Sequence, residues 1–144
     1  MKDDVFCNIS ICMFADDLDP ARVTSICVGD LKPCLQFRKG DQWNAPANLT
    51  RQYGGWVVKM SRVGYEDLDD RMLELIAVIP SNYREALGYP DIDLRVRLGF
   101  WSRRFWSGDL VIGSAVVAAM AARNAELVLS YYELVDDEPA QVSR

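Results

Sequence analysis

Alternating apolar and polar positions predict two long strands, each with one buried face. In residues 5–15 and again in residues 92–100, one set of alternate side chains is wholly apolar. Since successive side chains of a strand point to opposite faces of a sheet, the apolar set belongs to a core and the other set to a second face. In the second strand that other set predicts a solvated face, and it comprises Asp93, Arg95, Arg97 and Gly99.

Shorter apolar segments bounded by turn residues predict further strands over 34–38, 56–63, 105–112 and 126–135. Residues 39–54 contain several glycine, asparagine and proline residues, so they predict a long irregular loop around Trp43.

A helical repeat of apolar residues predicts the main helix, from about Asp67 to Ile79. Its apolar stripe follows the 3.6-residue period and consists of Leu68, Met72, Leu75, Ile76 and Ile79. A third helix is predicted from Ser114 to about Asn124, and its inward side chains would be Val116, Val117 and Met120.

Two short helical segments complete the predicted elements. Asp19 is a suitable N-cap before Pro20 at the first helical position, and Gly29 fits the C′ position of that helix. Residues 81–87 predict one further helical turn.

The order of elements, β-α-β-β-α-β-β-α-β, predicts an α+β fold. We expect a single, mostly antiparallel sheet of five to six strands with two to three helices on one face. Residues 1–135 would form this one domain, and residues 136–144 would be a polar C-terminal tail. The sheet face without helices would expose Lys59, Asp93, Arg95 and Arg97.

Charge and composition narrow the classes of partner. The 144 residues are 50% hydrophobic and 26% charged, with a formal net charge of −5. An acidic chain argues against nucleic acid or an anionic membrane surface and suits a basic protein partner. No signal peptide and no apolar run long enough to span a bilayer is present in the sequence, so we expect a cytoplasmic protein.

Residue types exclude several chemistries. The chain contains no histidine and no glycine-rich phosphate-binding motif, which excludes His-dependent nucleophilic catalysis, His-ligated metals and P-loop chemistry. We expect no catalytic residues and no cofactor, and hence no enzyme. The four cysteines, for which we expect buried or half-buried free thiols, are Cys7, Cys12, Cys27 and Cys34.

Two acidic clusters have simple local explanations. Asp16, Asp17 and Asp19 could hold a divalent cation and support a metal-dependent hydrolase, but a turn followed by a helix N-cap accounts for them. Asp67 and Asp70 lie where the dipole of the main helix favours negative charge. Both clusters remain available to steer a basic partner.

An aromatic and basic turn is predicted between the strands at 92–100 and 105–112. Trp101, Arg103 and Trp106 lie there, and these residue types are enriched at interface hot spots. Packing of the tryptophans on the sheet is the simpler interpretation.

The landmarks of the chain resemble those of a bacterial family known as domain of unknown function 4279. The opening strand followed by Asp17-Leu18-Asp19-Pro20, the helix reaching Gly29, then Pro33, Lys39-Gly40 and Gly55-Trp56 carry the resemblance, as do the third helix and a final strand ending Tyr131-Tyr132-Glu133-Leu134. The loop over residues 41–55 and the turn between Trp101 and Trp106 depart from the family pattern.

Some small proteins related to this family look like immunity proteins encoded beside bacterial toxins. The resemblance therefore implies a protein that neutralises a cognate toxin by occluding it, and the acidity of the chain predicts that this toxin is basic. The candidate contact residues are Asp16, Asp17, Trp43, Asp67, Asp70, Trp101, Arg103 and Trp106. The alternative is a regulatory domain that binds a small anionic ligand on the open sheet face through Arg95 and Arg97. Oligomeric state is left open by the sequence.

Overall fold

The fold is α+β and is built on one mixed, five-stranded sheet. The computed structural model describes residues 5–44, 49–102 and 109–133. The sheet contains β1 (Val5–Ala15), β2 (Leu35–Phe37), β5 (Gly54–Gly64), β6 (Asp93–Ser102) and β7 (Glu126–Glu133), in the order β2-β5-β1-β6-β7. A separate two-stranded hairpin is formed by β3 (Gln42–Asn44) and β4 (Leu49–Thr50).

Four helices supply the second layer of the core. They are α1 (Pro20–Ile26), α2 (Leu68–Ala77), α3 (Tyr83–Leu87) and α4 (Ser114–Ala122), and a 3-10 turn over Tyr65–Asp67 leads into α2. Each helix contributes buried side chains to one apolar cluster with the strands. That cluster contains the alternating apolar sets of β1 and β6 and the whole predicted stripe of α2.

The helices pack on only one face of the sheet, because only that face of the long strands is fully apolar. Ile9 and Ile11 of β1, Val58 of β5, and Val96 and Leu98 of β6 are buried there. We call the opposite face, which carries Phe6, Asn8, Ser10, Cys12 and Phe14 of β1 and their cross-strand neighbours, the open face.

The sheet is mostly antiparallel, as predicted, with one parallel pair. The pairs β1–β5, β1–β6 and β2–β5 are antiparallel, but β7 runs parallel to β6. The reason is that α4 connects these two strands, and a helical crossover returns the chain in the same direction.

Two predictions near the N-terminal half are wrong in detail. Helix α1 ends at Ile26, and Cys27 is already extended, so Gly29 is not its C′ residue although its φ is +94°. The predicted loop over 39–54 includes the β3–β4 hairpin.

Three further predictions need correction. Residues 109–112 of the predicted fifth strand form no strand, and residues 103–108 lie outside the described part of the chain. The side chain of Val117 points outward and is 51% exposed, since the buried side of α4 is formed by Val116 and Met120. Cys34 is exposed, whereas Cys7 and Cys12 are buried.

Candidate functional site

Cross-strand register brings distant residues together on the open face. Ser10 of β1 pairs with Lys59 of β5 on one side and with Arg97 of β6 on the other. Directly opposite residues in an antiparallel pair have Cβ atoms about 4.5–5.5 Å apart. The row Lys59–Ser10–Arg97 therefore places one cation on each side of the Ser10 hydroxyl group.

The next row leaves a gap in the surface. Asn8 of β1 pairs with Gly99 of β6, which in turn pairs with Ser130 of β7. Gly99 carries no side chain, and a Cβ atom there would lie 3.5 Å from the indole Nε1 of Trp101, so the indole nitrogen lies above the gap.

These two rows and the aromatic residues beside them enclose a shallow depression of about 280 Å³. We call it the central depression; its lining residues are Asn8, Ser10, Lys59, Arg97, Leu98, Gly99, Trp101, Ser130 and Tyr132. None of these side chains is a carboxylate. Pockets for drug-sized ligands hold about 300–1,000 Å³, so this volume suits a small group or one projecting part of a larger partner.

The described acids do not neutralise the cations of the central depression. Among the side chains that the structure describes, no carboxylate forms an ion pair with Lys59 or Arg97. Both side chains are exposed. Their combined charge, with the neighbouring hydroxyl, amide and indole donors, is the chemistry that binds a carboxylate, phosphate or sulfate group.

Arg97 also influences the ionisation of the Cys12 thiol. Burial raises the pKa of Cys12, and the Arg97 guanidinium opposes that rise without cancelling it. A buried thiol with a raised pKa is protonated at neutral pH, so Cys12 is not an activated nucleophile.

A β-bulge shapes one end of the open face. The pairing of β1 with β5 shifts between Cys7 and Ile9, and Arg62 in the bulge has a φ of +54°. The backbone N–H of Arg62 donates a 3.0 Å hydrogen bond to Oδ1 of Asn8, and its guanidinium lies 4.9 Å from the ring centroid of Phe6. The bulge thus aims a further cation at the open face.

Three aromatic rings, those of Phe6, Trp101 and Tyr132, stack side by side on the open face. The ring of Trp101 stacks on Phe6 with centroids 6.1 Å apart and on Tyr132 with centroids 4.4 Å apart. This packing confirms that Trp101 lies on the sheet, and it holds the indole in a fixed position beside the central depression.

A second depression of about 460 Å³ lies on the other side of Arg97. Phe14 and Tyr53 form an edge-to-face aromatic pair in its wall, with centroids 5.5 Å apart. Arg95 belongs to this depression but pairs with Asp93 at 2.8 Å, so its charge is partly neutralised there. Arg97 is the residue that lines both depressions.

The acidic residues selected from the sequence do not come together. Asp16 pairs with Lys39 at 3.0 Å, and Asp19 accepts hydrogen bonds from the backbone of Ala21 and from Arg38. Asp17 is exposed in the turn after β1. The turn is held by Tyr89, whose hydroxyl donates to the carbonyl of Asp17 and accepts from the N–H of Asp19.

Asp67 and Asp70 are exposed at the start of α2, within the helical layer. They are therefore separated from Trp101, which lies on the open face. The side chain of Trp43 and the whole of Arg103 and Trp106 lie outside what the structure describes.

The part of the chain that the structure describes contains no cluster of three or more Cys, Asp or Glu side chains that could hold a metal ion. Among the helices of that part, none is long and apolar enough to cross a membrane.

Sequence reasoning identified Arg95, Arg97 and Trp101 but missed other residues around them. Asn8, Ser10 and Ser130 are short polar residues on the solvated faces of strands, and nothing in their local sequence distinguishes them. The pairing of β1 with β5 and β6, and of β6 with β7, is what brings these residues together.

The fold and the central depression define a class of protein, an α+β domain whose described helices cover one face of a five-stranded sheet and whose other face carries a cationic depression with no carboxylate among its described lining residues. A family model described as a domain of unknown function, DUF4279, matches residues 6–134, and the chain belongs to this family. No curated protein and no solved structure matches it.

Proposed function

We propose that the chain is a non-enzymatic binding module that receives an anionic group in the central depression. The observation that carries this proposal is the row Lys59–Ser10–Arg97, in which two cations without carboxylate partners among the described residues flank a hydroxyl group. The ligand would be a small organic anion or an acidic group projecting from a larger partner, consistent with a regulatory role.

The position of Arg97 between the two depressions suggests how specificity would arise. An anionic group on Arg97 and Lys59 leaves the rest of a ligand free to extend toward Phe14 and Tyr53. Aromatic side chains bury large areas with few rotatable bonds, so they favour a ligand with a flat apolar portion. A phenyl phosphate is therefore expected to bind more tightly than inorganic phosphate.

Calorimetric titration with phenyl phosphate and with inorganic phosphate tests this proposal. The substitution Arg97→Gln removes the charge and keeps hydrogen-bond donors, so we expect it to weaken phenyl phosphate binding at least tenfold. Lys59→Gln should weaken it by a smaller factor, because a lysine lacks the bidentate geometry of arginine.

The matched control is Arg71→Gln, since Arg71 is an exposed arginine in the helical layer that pairs with Glu74. This variant should bind as the wild type does. Equal affinity of wild type and Arg97→Gln, or no binding by either at millimolar phenyl phosphate, would contradict the proposal.

A second candidate function is a cytoplasmic immunity protein that occludes a bacterial toxin. The distribution of charge favours it: the chain has a net charge of −5 although the central depression is cationic. Acidic groups therefore prevail elsewhere, and Asp17, Asp67 and Asp70 are all exposed. Such charges would steer a basic active-site cleft toward the helical layer and its adjoining turn.

Co-purification with the product of the adjacent upstream gene tests the second candidate. If that product is a toxin domain, Asp67→Lys combined with Asp70→Lys should slow association at low salt, whereas Asp91→Lys, at another exposed acid, should change it less. A neighbouring gene that encodes no toxin-like domain, with no complex captured, would rule this candidate out.

A further inference from the structure

Strand β7 forms one edge of the five-stranded sheet. It is the last strand of the sheet, and no other described strand pairs with its outer side. Soluble proteins usually protect such edges with charges, proline, bulges or very short strands. Residues 127–132 contain neither a charged residue nor proline, whereas the opposite edge strand, β2, has only three residues and follows Pro33 closely.

The helix-side face of β7 is also uncovered. Leu127, Leu129 and Tyr131 point to the side of the sheet that the helices cover, yet they are 37%, 56% and 51% exposed. Beside them lies an apolar depression of about 270 Å³, lined by Phe100, Leu110, Leu129, Ser130 and Tyr131. The exposed edge and the exposed apolar face thus coincide on one strand.

We propose that this surface binds a second copy of the chain, with the two β7 strands paired antiparallel about a two-fold axis. A two-fold axis normal to the sheet keeps the helices of both copies on one side, so residues directly opposite each other must belong to the same face. An axis through Leu129 meets this condition and places Leu129 opposite Leu129 of the second copy.

With this register, the side chains that face each other along the two β7 strands are compatible in size and charge. It puts Leu127 opposite Tyr131 twice, so the helix-side face of the junction consists of aliphatic and aromatic pairs. Glu126 lies opposite Tyr132, so no two acidic side chains face each other across the axis. The open faces of both copies become one continuous surface that carries two central depressions.

Sedimentation equilibrium over a range of protein concentrations tests this dimer. We expect a reversible monomer–dimer equilibrium for the wild type. Leu129→Lys and Leu129→Glu should each raise the dimer dissociation constant at least tenfold, because each places like charges opposite each other at the axis. The control is Val28→Lys, at a 63% exposed apolar residue on another part of the surface, which should leave the equilibrium unchanged.

Mixing the two variants tests the register itself. Because residue 129 faces its own copy, an equimolar mixture of Leu129→Lys and Leu129→Glu should form a heterodimer although neither variant forms a homodimer. A monomeric wild type at several hundred micromolar would overturn the proposal. So would a dimer that survives both substitutions, or a mixture that fails to associate. Folding of each variant is checked by its thermal unfolding, and anion binding is measured separately, since the dimer does not depend on it.

Discussion

Gly55 and Phe37 face each other across the β2–β5 pair on the open face. The ring of Phe37 covers the glycine so closely that a Cβ atom at position 55 would lie 2.7 Å from Cε1 of the ring. The ring cannot easily move away, because Arg51 lies 3.9 Å from its centroid and Tyr53 packs against it at 6.0 Å. A glycine that the sequence offers only as a turn residue is thus a packing requirement within a strand.

We therefore expect Gly55→Ala to lower the free energy of unfolding by about 1–3 kcal/mol, the usual cost of forcing extra volume into a packed site. Gly64→Ala is the control, since the nearest atom to a Cβ there lies 3.9 Å away and φ is −64°. Chemical denaturation should show the control unchanged or stabilised by up to about 1 kcal/mol. Equal stabilities of the two variants would contradict this account of Phe37.

At the scale of elements, Arg123 connects the ends of two helices. Its Nε donates a 2.7 Å hydrogen bond to the carbonyl of Ile79, just after α2, and its Nη1 donates to the carbonyl of Ala119 in α4. The carbonyl of Arg123 accepts a 2.8 Å hydrogen bond from the buried Tyr83 of α3. One residue therefore joins three helices through groups that helix ends leave unpaired.

Arg123→Ala should lower the free energy of unfolding by about 1–3 kcal/mol, because it leaves two partly buried carbonyls without these donors. Arg71→Ala removes only an exposed pair with Glu74 at i,i+3, so it should lower the free energy of unfolding far less. Urea unfolding of the two variants side by side gives the comparison. The interpretation of Arg123 fails if its loss costs no more than that of Arg71.

The elements whose patterns are long and regular were predictable from sequence. β1 has the predicted bounds, and all members of the predicted α2 stripe are buried. Short patterns were less reliable: Val117 is apolar and was predicted to face the core, but its side chain faces solvent. The parallel pairing of β7 and the bulge at Arg62 depend on contacts between segments far apart in the chain, which local periodicity does not encode.

The candidate site also combines residues that local patterns predict with residues that only the pairing of distant strands brings together. Arg95 and Arg97 were predictable as solvated residues of a regular strand, and the structure distinguishes them by their neighbours: Arg95 pairs with Asp93, whereas Arg97 lies beside Ser10. Ser10 and Ser130 are 120 positions apart in the sequence but line one depression. Only the strand order brings them together.

For the molecule as a whole, net charge does not describe the chemistry of the central depression. An overall charge of −5 favoured a basic partner, yet the described lining of the central depression includes Lys59 and Arg97 and no carboxylate. The fold separates these charges by placing the strands' polar sets on the open face and the exposed acids Asp67 and Asp70 in the helical layer. The central depression and these two acids therefore lie on different sides of the sheet.

Backbone amide chemical shifts recorded during a titration with phenyl phosphate, at constant ionic strength, test the central claim most directly. The account predicts saturable shifts centred on Ser10, Lys59, Arg97 and Ser130, and their loss in Arg97→Gln. Shifts centred instead on the helical layer around Asp67 and Asp70, or shifts that persist in Arg97→Gln, would contradict it.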